Sequence, residues 1–164
     1  TKFEQNKLIN KIFGNSIRNT FKINEVNIIK EDNLIGCSAS HNGYEKNFSC
    51  THKREISFDK QNNYLKGSDH IFKKKDGIPI RYVFRFHINP ELTVVKTMSG
   101  NSALIQLSKN KSLIFTVNGE NLEIEKSIFL GGKNILDSTC ITISGNLVNK
   151  NKTFYWEIKK NIQT

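Results

Sequence analysis

The sequence predicts an all-β fold: an antiparallel, supersandwich-like β-sandwich of about ten to twelve short strands, with little helix. Apolar and polar residues alternate with a period of two in short runs, and Gly, Asn and Asp separate these runs. No run of ten or more residues has the 3.6-residue period of a helix. The length of 164 residues suits one domain, so we expect a single domain over 1–164.

The candidate strands follow one another at the spacing expected of a sandwich. Residues 1–25 are predicted to be an irregular lead-in. The predicted strands are 26–30, 35–40, 44–58, 63–66, 80–88, 94–98, 103–107, 113–117, 122–130, 140–144 and 153–159. The clearest predicted hairpin turn is Asn118-Gly119, because both residue types tolerate a positive φ.

The basic charge balance has two interpretations, a polyanionic partner or a compositional bias of the genome. The net charge is +10 and the pI is near 9.6. The alternative is a biased genome, because Lys, Asn and Ile are abundant together. We expect no nucleic-acid partner, because no aromatic-basic signature is present. We expect no membrane span either, since no apolar run approaches about 20 residues. Signatures of nucleotide-binding proteins, zincins and α/β-hydrolases are also absent.

The three cysteines, Cys37, Cys50 and Cys140, show no metal-binding or redox spacing. Each lies in a strand-like run and is expected to be a small buried hydrophobe, with a single disulfide left open. The chain begins at Thr1 without an initiator Met or a signal peptide. We therefore expect it to be a fragment of a longer protein.

Two predicted strands carry histidine and arginine at alternate positions. His52 and Arg54 share one face of the run 44–58, and Arg85 and His87 share one face of 80–88. If these strands were neighbours, the four side chains would line one groove and bind carboxylate or sulfate. The alternative is that they are separate residues on different sheet faces.

His41 and Tyr44 flank Asn42-Gly43 and form the second candidate site. Lyases use such a pair: one group removes the proton alpha to a uronate carboxylate and the other protonates the leaving oxygen. The alternative is a simple hairpin whose tyrosine packs on the sheet.

These residues belong to a series of segments by which the sequence resembles the C-terminal β-domain of the heparinase II/III-like family, from about residue 26 to 160. Any one motif is weak, but their order and spacing are specific. The matching segments are SHNGY (40–44), THKREISFD (51–59), YLKGSDHIF (64–72), YVFRFHINP (82–90), NSALIQL (101–107), EIEKSIFLGG (124–132), CITISG (140–145) and FYWEIKK (154–160).

The resemblance implies a polysaccharide lyase that cleaves acidic, uronic-acid-containing polysaccharide by β-elimination, in the periplasm or cell envelope of a bacterium. It also implies an N-terminal helical domain in the same parent chain. The family's catalytic and metal-binding histidine motifs are not found in this sequence. No established catalytic residue is therefore carried over, and a structural divalent metal would belong to the parent and not to this chain.

The roles of the candidate substrate-binding residues are therefore hypotheses, and the isolated chain is expected to be inactive. The six candidates are His41, Tyr44, His52, Arg54, Arg85 and His87. The alternative function is a non-catalytic carbohydrate-binding or structural β-sandwich domain.

Overall fold

The computed structural model describes residues 21–75, 77, 79–148 and 151–161. Within these residues the chain forms eleven strands and a single helical turn. The strands and the helix are β1 (Ile23–Lys30), β2 (Leu34–His41), α1 (Glu45–Phe48), β3 (Cys50–Asp59), β4 (Tyr64–Lys73), β5 (Ile80–His87), β6 (Thr93–Lys96), β7 (Ser102–Ser108), β8 (Lys111–Val117), β9 (Glu123–Phe129), β10 (Leu136–Leu147) and β11 (Asn151–Lys160).

The strands form two antiparallel sheets of unequal size. One has eight strands in the order β1-β2-β3-β4-β11-β8-β7-β6, and the other has three in the order β5-β10-β9. The predicted all-β antiparallel sandwich with little helix is confirmed. Each predicted run also contains or overlaps one of the observed strands.

The core lies between the two sheets and is rich in aromatic rings. Phe84 of β5 packs on Phe154 of β11, with ring centroids 4.8 Å apart. Phe86 packs on Phe115 at 4.8 Å and on Trp156 at 5.1 Å. Such tilted contacts add to the stabilisation that burial of the rings provides. The alternation in the sequence thus points these residues inward from both sheets.

The predicted strand 44–58 is wrong in its first part. The turn α1 and Ser49, which has a φ of 51°, precede β3. Tyr44 and Phe48 lie one helical turn apart and pack edge to face, with ring centroids 6.5 Å from each other. The two aromatic residues of this stretch are four positions apart, a spacing that satisfies either period, so the tertiary contacts decide.

The predicted Asn118-Gly119 hairpin is also wrong. Gly119 does have the positive φ that the turn chemistry indicates, at 72°. However, β8 belongs to the eight-stranded sheet and β9 to the three-stranded one, so this turn carries the chain from one sheet to the other. Leu122 is fully buried just after the turn and anchors it in the core.

Strand β1 begins at Ile23, so residues 23–25 of the predicted irregular lead-in 1–25 are in a strand, and residues 1–20 of it lie outside the described residues. The expectation of three buried cysteines holds for Cys50 and Cys140 but not for Cys37, which is exposed. All three thiols are free. Strand β1 is exposed along its whole length and forms one edge of the larger sheet.

Among the described residues, none of the helical structure is long and apolar enough to cross a membrane.

Candidate functional site

A carboxylate buried between the sheets organises the site. Asp69 of β4 is 0% exposed. Its Oδ1 accepts hydrogen bonds from His52 Nε2 and Arg54 Nε, both at 2.7 Å. Its Oδ2 accepts from Arg54 Nη2 at 3.0 Å and from Trp156 Nε1 at 2.9 Å. We call these four residues the Asp69 cluster.

The hydrogen bonds determine the charge of Asp69. Burial by itself raises the pKa of a carboxyl group, because it disfavours the charged form. The hydrogen bonds from His52, Arg54 and Trp156, together with the Arg54 charge, outweigh burial and leave the pKa of Asp69 below its ordinary value. Asp69 is therefore an anion at neutral pH and compensates the guanidinium.

Strand register brings the cluster together. Arg54 of β3 lies directly opposite Asp69 in the antiparallel pair. Trp156 of β11 lies opposite Gly67, two residues before Asp69. A Cβ at Gly67 would come within 2.2 Å of Trp156 Cζ2, so only glycine lets the indole lie across β4 and reach the carboxylate.

The second sheet covers the cluster with aromatic rings. Phe84 packs against His52 with ring centroids 5.7 Å apart. The Arg54 guanidinium carbon lies 5.1 Å from the Phe86 ring centroid and 6.0 Å from that of Trp156. These rings exclude water and strengthen the electrostatic interactions beneath them.

A chain of hydrogen bonds leads from Asp69 to the surface and assigns the imidazole tautomers. The Gly43 amide donates to His41 Nδ1 at 3.2 Å, so the His41 hydrogen lies on Nε2. His41 Nε2 then donates to His52 Nδ1 at 3.2 Å, and His52 Nε2 donates to Asp69. An added proton on His41 Nδ1 would face the Gly43 N–H, so protonation of His41 requires this contact to break.

His41 ends this chain beside two aromatic rings. Its ring centroid lies 5.2 Å from that of Tyr44 and 5.1 Å from that of Phe21. Burial, followed by the proximity of His52, lowers the pKa of His41, so its imidazole is neutral at pH 7. Tyr44 is 48% exposed, and its hydroxyl makes no hydrogen bond to the described part of the chain. Together they present a neutral imidazole and a phenol at one point of the surface.

The structure thus brings His41, His52 and Arg54 together and places Tyr44 beside them. The predicted shared groove with Arg85 and His87 is wrong. These two residues lie in the three-stranded sheet, on the face opposite to Phe84 and Phe86, and both are exposed. Since β3 and β5 belong to different sheets, alternation turns the two pairs away from each other. His87 instead contacts the Ser127 hydroxyl at 3.0 Å.

The sequence reasoning missed Asp69 and Trp156. The predicted strand 63–66 ended before Asp69, whereas β4 extends to Lys73. A detectable signal was present, because Asp69 alternates with Leu65, Gly67 and Ile71 on an apolar face. A carboxylate in that position requires a buried partner.

No three His, Cys, Asp or Glu side chains in the described ranges are grouped so that they could hold a metal ion.

An antiparallel sandwich of eight and three strands, with a buried His–Asp–Arg cluster, defines the class of this domain. The sequence matches the family described as heparinase II/III-like, C-terminal, over residues 2–157, and the chain belongs to that family. A search among curated proteins gives no match.

Solved structures show the same fold. Heparan sulfate lyase HepC from Pedobacter heparinus superposes with a TM-score of 0.71 at 14% identity over 87% of this chain. A HepC mutant gives a TM-score of 0.69 at 12% identity over 87%. A heparinase III, the BT4657 gene product, gives 0.64 at 12% identity over 84%. The chain spans 22% of the length of each of these proteins.

Proposed function

We propose that this chain is the β-domain of a polysaccharide lyase whose substrate is an acidic, uronic-acid-containing polysaccharide. The observation that carries the proposal is the hydrogen-bonded chain from Asp69 to His41, which reaches the surface beside the Tyr44 hydroxyl. Membership of the heparinase II/III-like family supports it. The periplasm or cell envelope remains the proposed location.

The chemistry requires a base and an acid at one point. In β-elimination a base removes the proton alpha to the uronate carboxylate, the bond to the leaving oxygen breaks as a carbon–carbon double bond forms, and an acid protonates that oxygen. Both nitrogens of His41 are engaged in hydrogen bonds, so we assign His41 an orienting role at the surface beside Tyr44. Tyr44 is the group of this chain that is available to contact substrate.

His52 and Arg54 lie beneath this surface and hold His41 in place through the Asp69 cluster. Two guanidinium nitrogens of Arg54 are bound to Asp69, and its side chain is 34% exposed. Asp69 holds the His52 ring, which in turn holds His41. Arg85 and His87 are not part of the proposed site.

Binding of an acidic oligosaccharide to this chain tests the proposal. We expect a heparan sulfate hexasaccharide to shift the amide NMR signals of residues 41–44, and the binding to be lost in roughly 0.5 M salt. We expect no unsaturated uronate product from the isolated chain, because the whole active site belongs to the parent. His41→Gln and Tyr44→Phe should each weaken binding, whereas His87→Gln, on the opposite sheet, should not.

Three results would contradict parts of this proposal. Unsaturated product formed by the isolated chain would show that the expected inactivity is wrong. Signal shifts confined to the surface around Arg85 and His87 would refute the site. Comparable affinity for DNA would show that only net charge is recognised.

The second candidate function is a structural or non-catalytic carbohydrate-binding domain. It is favoured by the engagement of His52 and Arg54 with Asp69, which a purely structural cluster would also show. In that case His52→Ala lowers stability and leaves the affinity for the hexasaccharide unchanged.

A further inference from the structure

The outer face of the eight-stranded sheet carries a groove on the opposite side of the strands from the Asp69 cluster. Its volume is about 720 Å³, within the range of about 300–1,000 Å³ typical of ligand sites. Residues of β1, β2, β3, β4, β11 and β8 line it, and these strands are consecutive neighbours in the sheet. At about 4.8 Å per strand step, they cover about 24 Å along the sheet.

One row of paired residues crosses this groove. Tyr155 of β11 lies opposite Ser68, Ser68 lies opposite Glu55, and Glu55 lies opposite Ser38. Asn27 of β1 pairs with Ser38 and ends the row. Ser68 is buried, with its hydroxyl 2.9 Å from His70 Nε2 and 3.4 Å from Glu55 Oε2, whereas Tyr155 stands at the end of the row with 57% of its surface exposed. The exposed Tyr155 ring, in one row with the polar side chains of Glu55, Ser38 and Asn27, offers both an apolar and a polar contact surface.

A second row adds a positioned carboxylate. Glu157 lies opposite Thr116 and Lys66 and accepts a hydrogen bond from the Tyr64 hydroxyl at 2.5 Å. This hydrogen bond is the largest of the effects that raise the pKa of Tyr64 to about 12. Tyr64 therefore stays protonated at neutral pH and keeps the Glu157 carboxylate in a fixed position.

The charged side chains of the groove balance, because Lys66 lines it together with Glu55 and Glu157 and each of the two carboxylates has a lysine partner. A hydrogen bond from Lys53 is the largest effect that lowers the pKa of Glu55, so this carboxylate is ionised at neutral pH. Lys53 and Lys159 form ion pairs with Glu55 and Glu157 at 2.8 and 3.0 Å. Both carboxylates retain acceptor capacity, because each oxygen can accept more than one hydrogen bond. Sugar hydroxyl groups are matching donors for these oxygens, whereas a sulfate or uronate group in direct contact with either carboxylate would be repelled by it.

We propose that this groove binds a neutral oligosaccharide, with the Tyr155 ring against a sugar face and with Glu55 and Glu157 accepting hydrogen bonds from sugar hydroxyls. This site goes beyond the proposed function and does not depend on it, since the groove and the surface at His41 are on different faces of the sheet.

An NMR titration of this chain tests the proposal. The probes are cellohexaose, maltohexaose and laminarihexaose, together with the heparan sulfate hexasaccharide. We expect at least one neutral probe to shift the amide signals of Ser57, Ser68 and Tyr155 in a saturable manner that 0.5 M salt does not abolish. We expect the acidic hexasaccharide to leave these signals unchanged, whether or not it binds near His41.

Variants of Tyr155 test whether its ring contributes to oligosaccharide binding independently of any effect on folding. Tyr155→Ala should weaken binding of the neutral probe roughly tenfold, whereas Tyr155→Phe, which keeps the ring, should retain most of the affinity. Phe129→Ala is the matched control, because Phe129 is an exposed aromatic residue on the other sheet. The proposal is overturned if none of the three neutral probes binds at millimolar concentration. It is also overturned if their shifts lie outside the groove, or if the acidic hexasaccharide binds there more tightly.

Discussion

Replacing Asp69 by asparagine tests whether one buried carboxylate holds the candidate site together. Asparagine keeps the size of the side chain but turns an oxygen that accepts hydrogen bonds into an NH₂ group that faces other donors. It also leaves the Arg54 guanidinium without its compensating charge. We expect Asp69→Asn to lower the free energy of unfolding and to release His41 from its fixed orientation.

The burial of Asp69 and the partial exposure of Arg54 determine how much unfolding free energy Asp69→Asn should lose. Removing one partner of a buried ion pair costs about 3–5 kcal/mol. Solvent recovers part of this for Arg54, whose side chain is 34% exposed, so we expect about 3 kcal/mol. At about 2–4 °C for each kcal/mol in a chain of this size, the melting temperature falls by about 6–12 °C.

The assay is urea and thermal unfolding followed by circular dichroism, with Asp137→Asn as the control. Asp137 is an exposed residue of β10, so the same substitution there should change stability by less than about 0.5 kcal/mol. Equal stability of the two variants would refute the inference that the Asp69 cluster contributes to folding.

The effect also depends on pH in a direction that the hydrogen bonds determine. The pKa of Asp69 is lower in the folded state than in the unfolded state. Its contribution to stability is therefore complete above the unfolded value of about 3.9 and is lost as the pH falls through the folded pKa. The stability difference between the native sequence and Asp69→Asn should narrow below about pH 4, and a constant difference in acid would contradict this reasoning.

Two further predictions concern packing and thiol exposure. Gly67→Ala places a Cβ within 2.2 Å of Trp156 Cζ2 and should destabilise the fold by about 1–3 kcal/mol with a change in indole fluorescence. Gly132→Ala, where the nearest atom is at 3.9 Å, is the control, and an equal effect of both would contradict the packing. A thiol reagent should modify Cys37 rapidly and the other two cysteines only after unfolding, because burial raises their pKa. Three equally fast thiols in the native protein would argue against the described burial.

The candidate site was only partly predictable. The positions of His52 and Arg54 on one inward face follow from alternation along β3. The proximity of His41 does not, because it depends on His41 lying opposite His52 in the pairing of β2 with β3. The error with Arg85 has the same origin, since its strand shows the same alternation as β3 but belongs to the other sheet.

What the sequence by itself determined is the inventory of strands and the buried face of most of them. These properties depend on side chains two residues apart, and a period of two is visible in any short stretch. Resemblance to a family added the expectation that these strands form one β-sandwich domain of a larger polysaccharide lyase-like protein.

Only the tertiary structure decided which strands are neighbours, which sheet each joins, and where a chain reversal is a hairpin or a crossing between sheets. It alone placed Asp69 beneath Trp156 and opposite Arg54, and it alone opened a polar groove on the outer face of the same strands. The physical reason is that strand pairing and sheet packing minimise the free energy of residues far apart in the chain, whereas a local pattern reports only on its own segment.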